Sequence, residues 1–251
     1  MFCCYYYYTH IYTYDIYIYI CRQNHSRQFH QQLEIGYKLT DTTSQYSPER
    51  KMTTCEAAIK AWEEESKETA ADARKVLLYC QIPPISKMDG NLNNLKKCQH
   101  LSLSTNSIEK FGNLTLPELK ILSIGRNHIK KVDKIEGIAG TLEELWMSYN
   151  VLNGLDGLAS CKKLQVLYLS NNKIKSWDEL DKLQANPELR DILLIGNPIY
   201  DNMTTEQQRV EVLKHLPNLQ KIDGIVVTPA EREAAANGGE TNRTDGGSPR
   251  S

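Results

Sequence analysis

Six histidines, seven cysteines and a dense set of carboxylates are the side chains of this 251-residue sequence that could carry chemistry. A metal centre would need them at recurring ligand spacings. The cysteines (3, 4, 21, 55, 80, 98 and 161) contain no C-x-x-C pair, and no histidine lies at zinc-ligand spacing from any of them. His100, His128 and His215 have no carboxylate or cysteine companion at a repeated spacing, so each reads as a surface or capping residue. The nucleophile elbow G-x-S-x-G, the phosphate loop G-x-x-x-x-G-K-[ST], a strand-linked G-x-G-x-x-G and the metalloprotease H-E-x-x-H are all missing. Glu63 to Glu65 read as the solvated face of a helix. The side chains therefore point to recognition rather than catalysis, and no cofactor is expected.

Composition narrows what is recognised. The net charge is −1, with 40% apolar and 24% charged residues, as in an ordinary soluble protein. That balance gives no electrostatic case for nucleic acid or an anionic membrane as partner. Cys98 and Cys161 fall where a repeat needs buried apolar residues, so the cysteines are expected to be reduced, structural and cytosolic.

Residues 1–51 stand apart, holding ten of the fourteen tyrosines. The stretch lacks a basic start and a small-residue cleavage site, and Asp15 interrupts it, so it does not read as a secretory leader or as a membrane span. It reads as a low-complexity extension, disordered or an artefact of gene prediction, with Met52 as the initiator.

From Leu92 onward one pattern recurs, L-x-x-L-x-L-x-x-N-x-I-x-x-Φ, with Φ apolar. Its asparagines are Asn106, Asn127, Asn150, Asn172 and Asn197, separated by 21, 23, 22 and 25 residues. The first copy places Cys98, Leu101, Leu103, Ile108 and Phe111 around its asparagine. The fifth departs from the pattern at Asn202 alone. Residues three and five before each Asn point inward from a short strand, and the Asn side chain satisfies backbone groups that the following turn would leave unpaired. No copy can bury its own apolar face, so the copies must stack and both ends must be capped. The fold class is α/β, a leucine-rich-repeat solenoid with a parallel sheet on one face and helical caps at both ends.

The sequence divides as follows: an N-terminal helical cap at 52–91, five repeats at 92–203, a C-terminal cap at 204–227, a terminal helix at 228–237 and a disordered tail at 238–251. In the first cap, Thr53 and Glu56 form a capping box for a helix through Ile59 and Trp62. A second helix is predicted to carry Val76, Leu77, Tyr79 and Cys80 and to stop at Pro83–Pro84. In the second cap, Thr205 and Gln208 open a helix with Val210, Leu213 and Leu216 inward. Leu216, Leu219 and Ile222 repeat half a motif, and Thr228, Pro229 and Glu231 start the last helix.

Strand residues that alternate with the core leucines form the open sheet face. A purely structural face should be polar. Here Ile121, Trp146, Val166, Tyr168, Leu193 and Ile195 make a continuous apolar and aromatic area. Strands lie ~4.8 Å apart, so Trp146 and Tyr168 should touch, and the patch should match or exceed the roughly 300–600 Å² typical of a monomer's largest. Arg126 and Tyr149 sit at one rim; Glu144 and Asp191 supply a polar rim on the other. Such residues are the usual anchors of protein interfaces. The alternative is that terminal helices cover the patch.

The strings "QIPPISKMD", "LSLSTNSIEK", "LSIGRN" and "TLEELWMSYN" extend through positions that the repeat does not dictate. With them the chain, from about Met52 to Ile225, resembles the leucine-rich-repeat light chains of outer-arm axonemal dynein. The resemblance implies a non-catalytic subunit in the cytoskeleton of the ciliary or flagellar axoneme, a monomeric solenoid within a larger complex. It implies binding to the motor region of an outer-arm dynein heavy chain, a link to tubulin and microtubules, and a terminal helix that projects from the solenoid. The implied docking surface falls on Trp146, Tyr168 and Leu193. Another adaptor built on the same repeat, a phosphatase regulator or a spliceosomal scaffold, is the competing reading. The tail lacks the acidic ending of the family.

Overall fold

The computed structural model describes residues 52–238; the tyrosine-rich extension and nearly all of the predicted tail lie outside the described residues. Each rung of the structure begins with a three-residue strand and returns through a link of turns or short helices. In chain order the elements are α1 (Cys55–Ser66), β1 (Lys75–Leu77), a 3-10 helix (Gly90–Asn94), β2 (His100–Ser102), β3 (Ile121–Ser123), α2 (Glu136–Ala139) and β4 (Glu144–Trp146). A 3-10 helix (Asp156–Ser160), β5 (Val166–Tyr168), α3 (Asp178–Asp181), a 3-10 helix (Lys182–Ala185), β6 (Asp191–Leu193) and a 3-10 helix (Pro198–Tyr200) follow. The chain closes with α4 (Thr205–His215), β7 (Lys221–Ile222), β8 (Ile225–Val226) and α5 (Pro229–Ala236).

The strands form one sheet in sequence order. β1 to β7 are parallel and in register, so Trp146 faces Tyr168 and Tyr168 faces Leu193 across neighbouring strands. The middle residue of each strand and the residue two further on point inward. Leu101, Leu103, Leu122, Ile124, Leu145, Met147, Leu167, Leu169, Ile192 and Leu194 are fully buried, as are Cys98 and Cys161. Each such leucine contributes roughly 1.5–3 kcal/mol of apolar burial, available only because the next rung covers it.

The asparagines form the internal ladder that their spacing predicts. Asn150 donates from Nδ2 to the carbonyls of Ile124 and Met147 (both 3.0 Å) and accepts at Oδ1 from the Ile129 N–H (2.9 Å). Asn106, Asn127, Asn172 and Asn197 repeat this arrangement, each tying its own turn to the preceding rung. The links must also approach closely. A Cβ at Gly137 would lie 2.1 Å from the Leu114 carbonyl oxygen, and one at Gly157 would lie 1.9 Å from that of Val132. Only glycine fits there.

Three readings of the caps need correction. Residues 75–77 are not part of a second helix but the first strand, paired in parallel with His100–Ser102. Val76 and Leu78 take the inward positions of Leu101 and Leu103. The apolar residues of this segment suit either periodicity, and Gln81 stands where later rungs carry Asn. Cys80 nevertheless has the positive φ (52°) that Thr105, Arg126, Tyr149 and Asn171 adopt just before their asparagines.

The α1 cap is Thr54, whose side chain accepts from the Ala57 N–H. Thr53 is occupied elsewhere, in a parallel bridge with Ile85 and a hydrogen bond to the Pro83 carbonyl. In α4 the capping box is Thr204 with Gln207, one residue earlier than predicted, and the buried set is Arg209, Val212 and Leu213. The frame shifts because a charged side chain, Arg209, is turned inward and satisfied there. Leu216, Leu219 and Ile222 are buried as expected. The Thr228–Glu231 box of α5 is present as well.

Candidate functional site

The open face is built by the residues that alternate with the buried leucines, and its rows follow the strand register. At the first rungs it is small and closed: Ser102, Ser104 and Ser123 are buried, and the hydroxyls of Ser104 and Ser123 lie 2.8 Å apart. From β4 onward it becomes large and aromatic. The rings of Trp146 and Tyr168 stack with centroids 6.1 Å apart and planes 20° from parallel. His100 meets Trp146 edge-on at 5.9 Å. Ile121, Val166, Leu193 and Ile195 surround these rings and stay partly exposed.

Polar groups hold the rings in place. The Trp146 indole N–H donates to Glu144 (3.1 Å) and the Tyr168 hydroxyl donates to Asp191 (3.3 Å). Asp191 also pairs with Lys221 at 3.2 Å. Desolvation raises the Glu144 carboxyl above its usual range, against the indole hydrogen bond, and the negative charges of Glu143 and Asp191 add to the rise. Burial and Asp191 push the Tyr168 phenol up to about 12, so it remains a donor at every physiological pH. Burial and Lys75 lower His100. The ensemble is a pre-formed, partly exposed aromatic surface flanked by carboxylates. Pre-ordered rings lose little side-chain entropy when a partner covers them.

The second rim arises from backbone geometry. Arg126 (φ 52°) and Tyr149 (φ 59°) occupy equivalent left-handed turn positions on successive rungs. Their side chains therefore project side by side, with the guanidinium 4.3 Å above the phenol ring.

The residues singled out in the sequence thus lie on one face and its two edges. Three participants were not foreseen. His100 stands in the row of Ile121 and Glu144, although its sequence spacing reads only as a surface or capping position. Lys221 and Val226 extend the Asp191 row, because β7 and β8 continue the sheet (Asp191↔Lys221↔Val226). The half motif ending at Ile222 is the signal that could have placed Lys221. Val226 is 70% exposed and Ile225 44%. α5 does not lie across the aromatic rows and does not stand free: Arg209 of α4 holds its Glu231, and Arg232 donates to the Pro217 and Leu219 carbonyls. Among the described residues no cluster of His, Cys, Asp and Glu could hold a metal ion, and no helix is long and apolar enough to cross a membrane.

The repeats also match a known sequence family. A family model described as leucine rich repeats (2 copies) matches residues 141–182. A curated protein of Chlamydomonas reinhardtii named Dynein axonemal light chain 1 is 50% identical over 190 residues, covering 74% of this chain and 96% of that protein. The protein of the same name from Danio rerio is 49% identical over 185 residues, covering 73% and 96%. Among solved structures, a leucine-rich-repeat protein of Leptospira interrogans is similar with a TM-score of 0.49 and 26% identity, over 60% of this chain and 37% of that one.

Proposed function

Since the chain belongs to the dynein axonemal light chain 1 family, we propose that it is a non-catalytic light chain of the outer dynein arm, which docks on a heavy chain through the open sheet face. It acts in the axoneme of cilia or flagella, where it biases the motor's activity without doing chemistry itself. The observation that carries this reading is the stacked pair Trp146–Tyr168, partly exposed and pinned by Glu144 and Asp191. A soluble solenoid gains nothing from holding two large rings rigidly at its surface, whereas an interface anchor gains low entropic cost and a defined shape. The apolar positions around the rings supply the contact area, and Arg126, Tyr149 and Asp191 supply the rim.

The test is a pull-down with the heavy-chain motor region. Trp146→Ala combined with Tyr168→Ala should abolish capture, because each anchor is worth about 2 kcal/mol or more in an interface. Thermal unfolding should change little, since both rings lie outside the core. Full retention of heavy-chain binding by the double variant would sink the proposal. Tubulin, added alone, distinguishes a direct contact from one made through the heavy chain. Capture of phosphatase or spliceosomal components instead of dynein would favour the competing adaptor reading.

A further inference from the structure

We propose that Thr228 is a phosphorylation site, written by a proline-directed protein kinase and read by the buried guanidinium of Arg209. Thr228 is exposed, followed by Pro229, and extended (φ −89°, ψ 157°), the backbone shape of a segment presented to a kinase cleft. It begins α5, which buries none of its residues and so opens more readily than the core.

The surroundings explain what a phosphate would do there. The Thr228 hydroxyl donates to Glu231 Oε2 (2.8 Å), and the same oxygen lies 3.2 Å from Arg209 Nη2. Arg209 is only 4% exposed and also donates to the carbonyls of Ile222 (2.6 Å) and Val226 (3.2 Å). A buried guanidinium needs an anion beside it, and Glu231 currently supplies one. The pairing with Arg209 holds the Glu231 carboxyl down at about 2.

In the modification, Thr228 Oγ1 forms a bond to the γ-phosphorus of a nucleoside triphosphate. The bond from that phosphorus to the β,γ-bridging oxygen breaks, the nucleoside diphosphate leaves, and the hydroxyl proton passes to the base of the kinase. The product carries roughly −1.5 to −2 charges near neutral pH. It has also lost the hydroxyl proton that Glu231 accepted. Two anions cannot share this position, so Glu231 turns to solvent and the phosphate takes over Arg209 in charge-assisted hydrogen bonds. α5 stays attached, but a new charge now borders the exposed Ile225 and Val226. The site itself does not rest on the docking proposal; only an effect on docking would.

The test uses the full chain carrying Ser47→Ala and Ser248→Ala, which leaves Thr228 as the single Ser/Thr-Pro site. Incubation with a proline-directed kinase and magnesium-ATP should add one phosphate, mapped to Thr228 by peptide fragmentation. Adding Glu231→Ala frees the hydroxyl and should speed incorporation about fivefold, the population gain expected from loss of a typical cap. Phosphorus NMR of the product should give a second phosphate pKa below the ~6 of a free phosphothreonine. Absence of phosphate from Thr228 in both backgrounds overturns the site. A phosphate that titrates like the free amino acid overturns Arg209 as its reader.

Discussion

Replacing Asn150 with Ala removes one rung of the ladder in mid-stack, and the structure allows its cost to be worked out. Three hydrogen bonds disappear, but the three partners do not suffer equally. The Ile124 carbonyl still accepts from Asn127 (3.0 Å) and the Met147 carbonyl from Asn172 (3.0 Å). The Ile129 N–H has Asn150 Oδ1 as its partner (2.9 Å) and would be left buried and unpaired. An orphaned buried donor costs about 1–3 kcal/mol, and each of the two bonds lost to a carbonyl that keeps another donor about 0.5–1.5 kcal/mol. The sum is about 2–6 kcal/mol, a large part of the 5–15 kcal/mol typical of a whole domain.

Equilibrium urea unfolding of the two chains measures this directly, provided that the slope m is unchanged. Asn153→Ala is the control: its residue is exposed, in the same turn and outside the ladder, and it should shift stability by less than ~0.5 kcal/mol. A loss for Asn150→Ala below ~1 kcal/mol would refute the reasoning. Water, and not the Asn, would then be satisfying the turn.

Two further outcomes are expected. Glu231 is depressed from 4.5 to about 2 by Arg209, so its contribution is present above pH 4.5 and is lost as pH falls toward 2. Thermal unfolding across that window should therefore drop more steeply for the native chain than for Glu231→Gln, and parallel curves would contradict the pairing. Burial pushes the thiols of Cys55, Cys98 and Cys161 up to about 11. All three should resist iodoacetamide in the folded chain at neutral pH and react once it is unfolded, as judged by mass mapping; native-state labelling at the unfolded rate would count against their burial.

The repeats were legible because their determinants are local and periodic. Leucine at fixed offsets from an asparagine can be read without knowing any partner, and the core and ladder follow that reading residue by residue. The misreadings share one cause, which is that contacts between distant residues overrode local preference. β1 is a strand because β2 offers it a parallel edge, whereas its own apolar residues suit either period. Thr54 caps α1 in place of Thr53 because Ile85 and the Pro83 carbonyl engage the latter. Arg209 reads as a surface residue until Glu231, twenty-two positions later, is placed beside it.

The open face was legible in outline for the same reason as the core: alternation says which residues point outward. Its fine structure was not. The tethers from Trp146 to Glu144 and from Tyr168 to Asp191 depend on rotamers, which spacing does not determine. His100 joins through a ring contact spanning two strands of the sheet, beyond the reach of any motif.

A stack of similar rungs has no intrinsic length, since each parallel strand offers the next the edge it received. The Asp223–Gly224 turn, with φ values of 51° and 81°, sends β8 back antiparallel to β7. Asp223 accepts the Leu194 and Ile195 N–H groups at the end of β6 that no further rung meets, and Arg209 occupies the Ile225 and Val226 carbonyls. The last strand therefore runs in the wrong direction for another repeat, with its acceptors already engaged. One reversed hairpin and one inward arginine act as a stop signal, giving the repeat a finite count and keeping an otherwise extensible edge from templating a second chain.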